Sequence, residues 1–317
     1  MKAGEAFKTL FRCLAGFHLM SIERVSDSVR MIDAPYHGKT GVLGTYVVTG
    51  EKVALIDPGT ASQTPCVIEA LDRLGVEEVS TIALTHVHLD HAAGCWVMLE
   101  RYPGASVHCH PRGVEHMIDP SRIEAAAREV FGDKIEEYGE VRGIPMEKVD
   151  ASADGERLEL GGVQLQVYYT PGHSSHSQSY YEPSGSVLFA GDTAGHTPDN
   201  LGPVIPASPA PYNPVQTTES LKKMETLDPK VICIGHYGFH SGAAEWLRGF
   251  REQVLLWERI ASTGVEEGGT LTDMYLRVLD SDIEAQKLVS ADPDAKEHIY
   301  RSLAGFASYA RWVKSRR

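Results

Sequence analysis

Residues 80–91, STIALTHVHLDH, constrain this chain more than any other stretch. The apolar half reads as a buried strand, and the polar half packs His86, His88, Asp90 and His91 into six consecutive residues. In an extended segment alternate side chains point the same way, so His86 and His88 can converge on one ion. Asp90 and His91 fall where the chain turns into a helix and can face a second. A chain carrying such a segment has to bring further donors to the tip of the same strand.

Three later apolar runs end in a way that meets this requirement. His173 in TPGHSSHS, Asp192 in FAGDTAG and His236 in VICIGHYG each follow a strand pattern, so all three would gather on the sheet edge that holds His86. Upstream, KVALID ends in DPGT with Asp57 just past the tip. Residues 62–74 then place Val67, Ile68, Leu71 and Leu74 at helical spacing, closed by Gly75. With the strand at 79–84 this is a β-α-β unit, whose crossover is right-handed and whose ligands emerge at the carboxyl end of the strand.

The remaining segments dress this frame. Residues 28–34 and 41–48 read as a hairpin around PYHGKTG, residues 91–100 as a helix, and residues 105–109 as a strand. Residues 121–138 read as an inserted amphipathic helix pair forming a wall over the site. RLEL, VQLQVYYT, SYYEP and SVLFAG repeat the strand plan, and the proline-rich residues 198–214 read as a long surface loop. From residue 241 the pattern is helical, with caps at Thr270 and Asp292, forming a C-terminal cap or a homodimer surface. The division read here is an N-terminal extension at 1–19, a catalytic α/β domain at 20–240 and a helical extension at 241–317. The leader is either a short extra helix or a disordered extension. Arg12 and His18 interrupt its apolar patch, so it is a poor secretory signal.

Charge and cysteine usage narrow the partners. A formal charge of -13 disfavours a surface adapted to phosphate backbones, so nucleic acid is not expected as a substrate. No run approaches the length of a membrane-spanning helix. The five cysteines (Cys13, Cys66, Cys95, Cys109 and Cys233) are scattered and hold no C-x-x-C pair, so they read as buried thiols of a reducing compartment, the cytoplasm.

The donors divide into two sets. His86, His88 and His173 supply three imidazoles, the usual protein share of a catalytic zinc with one open position. Asp90, His91 and His236 supply a second ion, and Asp192 can bridge the two. Nitrogen and oxygen donors favour two Zn2+, and iron or manganese fit the same set. Ions about 3.5–4 Å apart can share a hydroxide, because each lowers the pKa of bound water towards ~7. Asp90 is placed to orient that hydroxide or shuttle its proton.

With these motifs in view, the chain resembles the metallo-β-lactamase superfamily. THVHLDH looks like its H-x-H-x-D-H signature, and DPG, PGHS, AGD and GHYG follow in the family's order across residues 28–240. The resemblance implies an αββα sandwich with the metals at one edge and the ligand roles given above. His88 argues against the flavodiiron branch, which has a carboxylate there, and Asp192 against true β-lactamases, which lack that bridging group. Glyoxalase II, lactonases, RNase Z-type nucleases and persulfide dioxygenases remain as relatives. Persulfide dioxygenases use one iron held by two histidines and one aspartate, whereas this chain offers all seven ligands; the acidic charge counts against the nucleases.

The resulting expectation is a binuclear zinc hydrolase acting on the ester, thioester or lactone carbonyl of a small molecule. Lactonases carry a tyrosine shortly after the bridging aspartate, and here His196 stands in that neighbourhood, assigned to assist the oxyanion or the leaving group. Asp57 reads as a partner orienting a metal histidine. His176 reads as either a similar partner or a solvated loop residue, Tyr36 and His37 as turn residues within reach of the pocket, and His108 and His110 as structural. Trp246, Trp257 and Trp312 read as core or interface.

Overall fold

A computed structural model describes residues 8–12, 19–198 and 202–316, residues 8–12 by their backbone alone. The described strands form two sheets. The first has eight strands in sequential order: β1 (Lys8–Arg12), β2 (Leu19–Arg24), β3 (Val29–Asp33), β4 (Thr45–Thr49), β5 (Val53–Ile56), β6 (Thr81–Ala83), β7 (Ser106–Cys109) and β8 (Val149–Ala151). Neighbours from β1 to β5 are antiparallel and those from β5 to β8 parallel. The second holds β9 (Arg157–Glu159), β10 (Gln164–Tyr169), β11 (Gln178–Glu182), β12 (Val187–Gly191), β13 (Val231–Ile234) and β14 (Phe239–Ser241), in the spatial order β14-β13-β12-β11-β10-β9.

Side-chain alternation along the strands builds the layers. Val47 and Leu55 face outward onto α1 (Thr64–Arg73), α2 (Leu89–Ala92) and α3 (Cys95–Arg101), sharing a core with Val67, Leu71, Ala92 and Met98. Their neighbours Tyr46, Val48, Ala54 and Ile56 face inward and meet Leu165, Tyr180, Val187 and Phe189 of the second sheet. On the far side of that sheet Leu188, Ala190, Ile232 and Ile234 join a third core made with helices. The result is helix, sheet, sheet, helix, the αββα sandwich of an α/β protein. Each large side chain fully buried here, such as Leu55 or Phe189, contributes roughly 1.5–3 kcal/mol.

Two of the parallel pairs that carry site residues are joined by helical crossovers: β5 reaches β6 through α1, and β12 reaches β13 through α6 (Pro214–Glu225). Between these lie α4 (Val114–Ile118) and α5 (Ser121–Phe131); after them come α7 (Ala243–Glu267), α8 (Leu271–Ser281), α9 (Ile283–Ala291) and α10 (Lys296–Lys314). In α7 the stripe Leu247, Phe250, Val254, Trp257 and Ala261 is buried in the same core as Leu188 and Ile232, so the C-terminal helices and the second sheet share one interior.

Several expectations need correction. Residues 8–12 of the leader form an edge strand rather than a helix. The helix read at 91–100 is two, α2 and α3, separated at Ala93 and Gly94. There the backbone runs so close to the DPGT turn that a Cβ on Gly94 would lie 2.2 Å from Thr64 Oγ1. The inserted pair is one α-helix followed by a 3-10 segment, Gly132–Tyr138. Cys66 is disulfide-bonded, contrary to the reading of unpaired thiols throughout, while Cys95, Cys109 and Cys233 are free and buried. No described helix is long and apolar enough to cross a membrane.

Candidate metal centre

The candidate donors arrive on four strand tips and one short helix, and a fifth strand tip brings Asp57 behind them. Past β6 the chain bends at Thr85 and runs on to His88, itself extended, then turns into α2, whose His91 and Ala92 amides bond back to the His88 carbonyl at 3.0 and 2.9 Å. That turn carries Asp90 and His91 round to the side opposite His88. Asp57 follows β5, His173 follows β10, Asp192 follows β12 and His236 follows β13. The structure thus gathers all seven predicted donors. His86, His88 and His173 place one ring nitrogen each within 4.8 Å of one another, and so do the donor atoms of Asp90, His91 and His236.

Asp192 lies between the two sets. Its Oδ1 is 3.6 Å from His91 Nε2; its Oδ2 is 3.2 Å from His236 Nε2, 3.7 Å from His173 Nε2 and 3.9 Å from His86 Nε2. Asp90 Oδ2 approaches His236 Nε2 at 3.4 Å and His91 Nε2 at 3.8 Å.

Hydrogen bonds behind the rings fix which nitrogen faces inward. The Asp57 carboxylate accepts the Thr85 amide at 2.8 Å and its hydroxyl at 2.6 Å, and it lies 3.2 Å from His91 Nδ1. His91 therefore donates from Nδ1 and turns Nε2 into the site. The Thr85 hydroxyl, having given its proton to Asp57, can accept from His86 Nδ1 at 3.1 Å, which frees the His86 Nε2 lone pair in the same way. His173 Nδ1 donates to the Ala207 carbonyl at 2.7 Å, leaving Nε2 to face His88 Nδ1 at 3.0 Å. Thr85 was not singled out in the sequence; its place between the strand and the histidines was the available signal.

Electrostatics separate the two sets. Burial, then neighbouring imidazoles, holds His86 and His88 well below the ordinary histidine range, His88 down to about 3, and burial lowers His173 too. Neutral imidazole is the ligand form. In the second set burial is outweighed: Asp192 and Asp90 raise His236 to about 9 and His91 well above its usual value. The imidazoles in turn overcome burial to keep the Asp192 and Asp90 carboxyls low.

Whether these residues suit a metal is answered by atoms left without partners. His86 Nε2, His91 Nε2 and Asp192 Oδ1 are buried and make no hydrogen bond, although such groups are normally satisfied. All three face one another. Gly235 keeps the space open, since a Cβ there would lie 2.5 Å from His91 Cε1 and 2.6 Å from Asp192 Oδ1. The donor set fits a metal pair with nitrogen and oxygen ligation.

His196 sits beside this cluster. It is half-buried, its ring is 5.5 Å from His236 and 5.8 Å from His298 on α10, and a bridge to Ile205 holds its backbone. Burial, then His236 and His298, keeps it neutral, and its Nδ1 has no partner. His176 lies behind the first set, 5.4 Å from His88, accepting from Ser174 Oγ at 2.9 Å. His37 pairs with Glu137 at 3.0 Å and Tyr36 packs 5.8 Å from Tyr138, so the 36–37 loop meets the insertion. His108 pairs with Asp150 at 3.4 Å, and His110 packs on Tyr169 at 4.2 Å.

The Metallo-beta-lactamase superfamily profile matches residues 38–236, from the loop before β4 to the last candidate donor. The chain belongs to the metallo-beta-lactamase superfamily. A metallo-beta-lactamase fold-containing protein of the archaeon Sulfurisphaera tokodaii is 30% identical over 200 residues, 62% of this chain and 73% of that one. Its crystal structure superposes with a TM-score of 0.64 over 72% of this chain and 86% of the other, at 28% identity. A hydroxyacylglutathione hydrolase of Idiomarina loihiensis is 28% identical over 189 residues, 59% of this chain and 57% of that hydrolase. The chain therefore spans little more than half the length of this relative. TTHA1623, solved in a di-iron-bound form, is similar with a TM-score of 0.50 at 26% identity, over 64% of this chain and 91% of the other. The superfamily match ends at His236, so α7 to α10 lie outside it.

Proposed function

We propose that this protein is a binuclear zinc-dependent hydrolase of small molecules, attacking an ester, thioester or lactone carbonyl. The observation that carries this reading is the position of Asp192 between two donor sets, its Oδ1 and one nitrogen of each set, His86 Nε2 and His91 Nε2, being buried without a hydrogen-bond partner among the described residues. A relative named hydroxyacylglutathione hydrolase supports hydrolysis as the reaction class. When bound, a metal pair supplies an acidified water and polarises the carbonyl oxygen.

The chain's own groups supply the rest. His86, His88 and His173 would hold one ion, Asp90, His91 and His236 the other, with Asp192 shared. Asp57 fixes the His91 ring, and through Thr85 the His86 ring, so the cage keeps its shape before an ion arrives. Asp90, beside His236, is placed to accept and pass on a proton. His196, neutral and with Nδ1 uncommitted, would assist the oxyanion or the leaving group.

An assay of metal-quantified protein against esters, thioesters and lactones, with and without chelator, tests the reading. Two metal equivalents and chelator-sensitive turnover are expected; one iron per chain with no ester turnover would direct the assignment to a persulfide dioxygenase instead. The His196→Ala variant should lose turnover by about 100-fold or more with metal content unchanged. Unaltered turnover removes His196 from the mechanism.

A further inference from the structure

Residues 204–208 run between the metal centre and the C-terminal helices, and their carbonyls are taken up alternately by one side and the other. Val204 O accepts from Gln253 Nε2 of α7 at 3.0 Å, and Pro206 O accepts from Ser302 Oγ of α10 at 2.5 Å. Between and beyond these, Ile205 exchanges both backbone bonds with His196 at 3.0 Å, and Ala207 O accepts from His173 Nδ1 at 2.7 Å. One edge of this strap therefore belongs to the helices and the other to the site.

The helix α10 grips the strap on both sides of Ala207. Ser302 donates to the Pro206 carbonyl, and the Ser208 hydroxyl returns a bond to the Ser302 carbonyl at 3.0 Å. Both serines are buried, so a carbonyl that lost its donor there would have no ready substitute. Gly305, three residues on, lets the helix come this close: a Cβ there would lie 1.8 Å from the Ser208 carbonyl oxygen.

The backbone beside His173 is held from elsewhere, the Asn213 amide donating to the Gly172 carbonyl at 3.0 Å. What the Ala207 carbonyl adds is the orientation of the ring. By accepting from Nδ1 it leaves the lone pair on Nε2, which lies 3.7 Å from Asp192 Oδ2.

We infer that Ser302 is a positioning residue for the metal centre. It fixes Ala207, and Ala207 fixes the His173 ring, so α10, which lies outside the superfamily match, sets the affinity of the first donor set for its ion. The inference rests on reading the cluster as a metal centre and is independent of the reaction catalysed.

Zinc titration of the full chain against a chromophoric chelator tests it. Ser302→Ala should weaken the binding of one of the two zinc equivalents by about tenfold. In a His173→Ala background the same substitution should have no further effect, because its influence passes through that ring. Unchanged affinity in Ser302→Ala, or a loss of equal size with and without His173, overturns the assignment. Where Ser302→Ala does not fold, Ser208→Ala removes only the returning bond; a loss in the same direction supports the role and none overturns it. If the wild type binds no zinc, it is the metal-centre reading that fails, and the ring itself then decides in nitrogen-15 histidine spectra of the chelated protein. A His173 proton on Nδ1 in the wild type that redistributes towards Nε2 in Ser302→Ala sustains the positioning role, while identical spectra remove it.

Discussion

At the scale of single residues, the centre depends on orientation as much as on donor identity. Asp57 and Thr85 fix the His86 and His91 rings by hydrogen bonds. The result is a set of buried lone pairs that repel one another until a cation or a proton arrives. His236 shows which of these the metal-free protein uses, because Asp192 and Asp90 raise it from an ordinary value of about 6.5 to about 9. With the folded value above the unfolded one, its stabilising contribution is complete below about pH 6.5 and disappears as pH rises through about 9. Thermal unfolding of chelated protein should accordingly show stability falling across that window. Metal loading should remove the dependence, since the ion then takes the place of the proton. A flat profile for chelated protein would contradict the ion-pair picture.

Elements differ in how much of their position they settle themselves. The one-turn α2 is too short to persist alone, and it is held by the DPGT turn through the bond from the Gly94 amide to the Gly59 carbonyl at 2.9 Å. By contrast α8 has a full capping box, in which Thr270 and Asp273 each satisfy the other's backbone amide. Thr270→Ala should cost about 1 kcal/mol of stability and leave metal content and turnover unchanged, as measured by denaturant titration alongside an activity assay. A change in turnover would mean that α8 is coupled to the site.

For the whole molecule, the decisive feature is the single interior shared by the second sheet and the C-terminal helices. Trp257 is fully buried in it, and its indole donates to Asp282 Oδ2 at 2.6 Å, with Gln253 donating to the same oxygen at 2.9 Å. Trp257→Ala should destabilise by about 3–5 kcal/mol. Because Ile232 and Ile234 of that core lie on the strand leading to His236, metal release and helix loss should follow one denaturant transition. Two separated transitions would show that residues 241–317 form a unit of their own.

The sequence by itself determined the donors and their order, because strand alternation and strand-tip polarity are local properties. THVHLDH, PGHS, AGD and GHYG could be placed at strand tips from pattern alone, and the resemblance they carry implied the superfamily and the sandwich; the one sheet edge expected for them is two, with β6 in the first sheet and β10, β12 and β13 in the second. It could not show where α6 lies, why the helix breaks at Gly94, or that residues 8–12 pair as a strand, since these depend on neighbours distant in the chain. Tertiary structure alone decided which nitrogen of each ring faces the site and brought Ser302 against Pro206 across 96 positions of sequence. Hydrogen-bond orientation and the meeting of two far segments arise only when the layers pack, and no local periodicity encodes them.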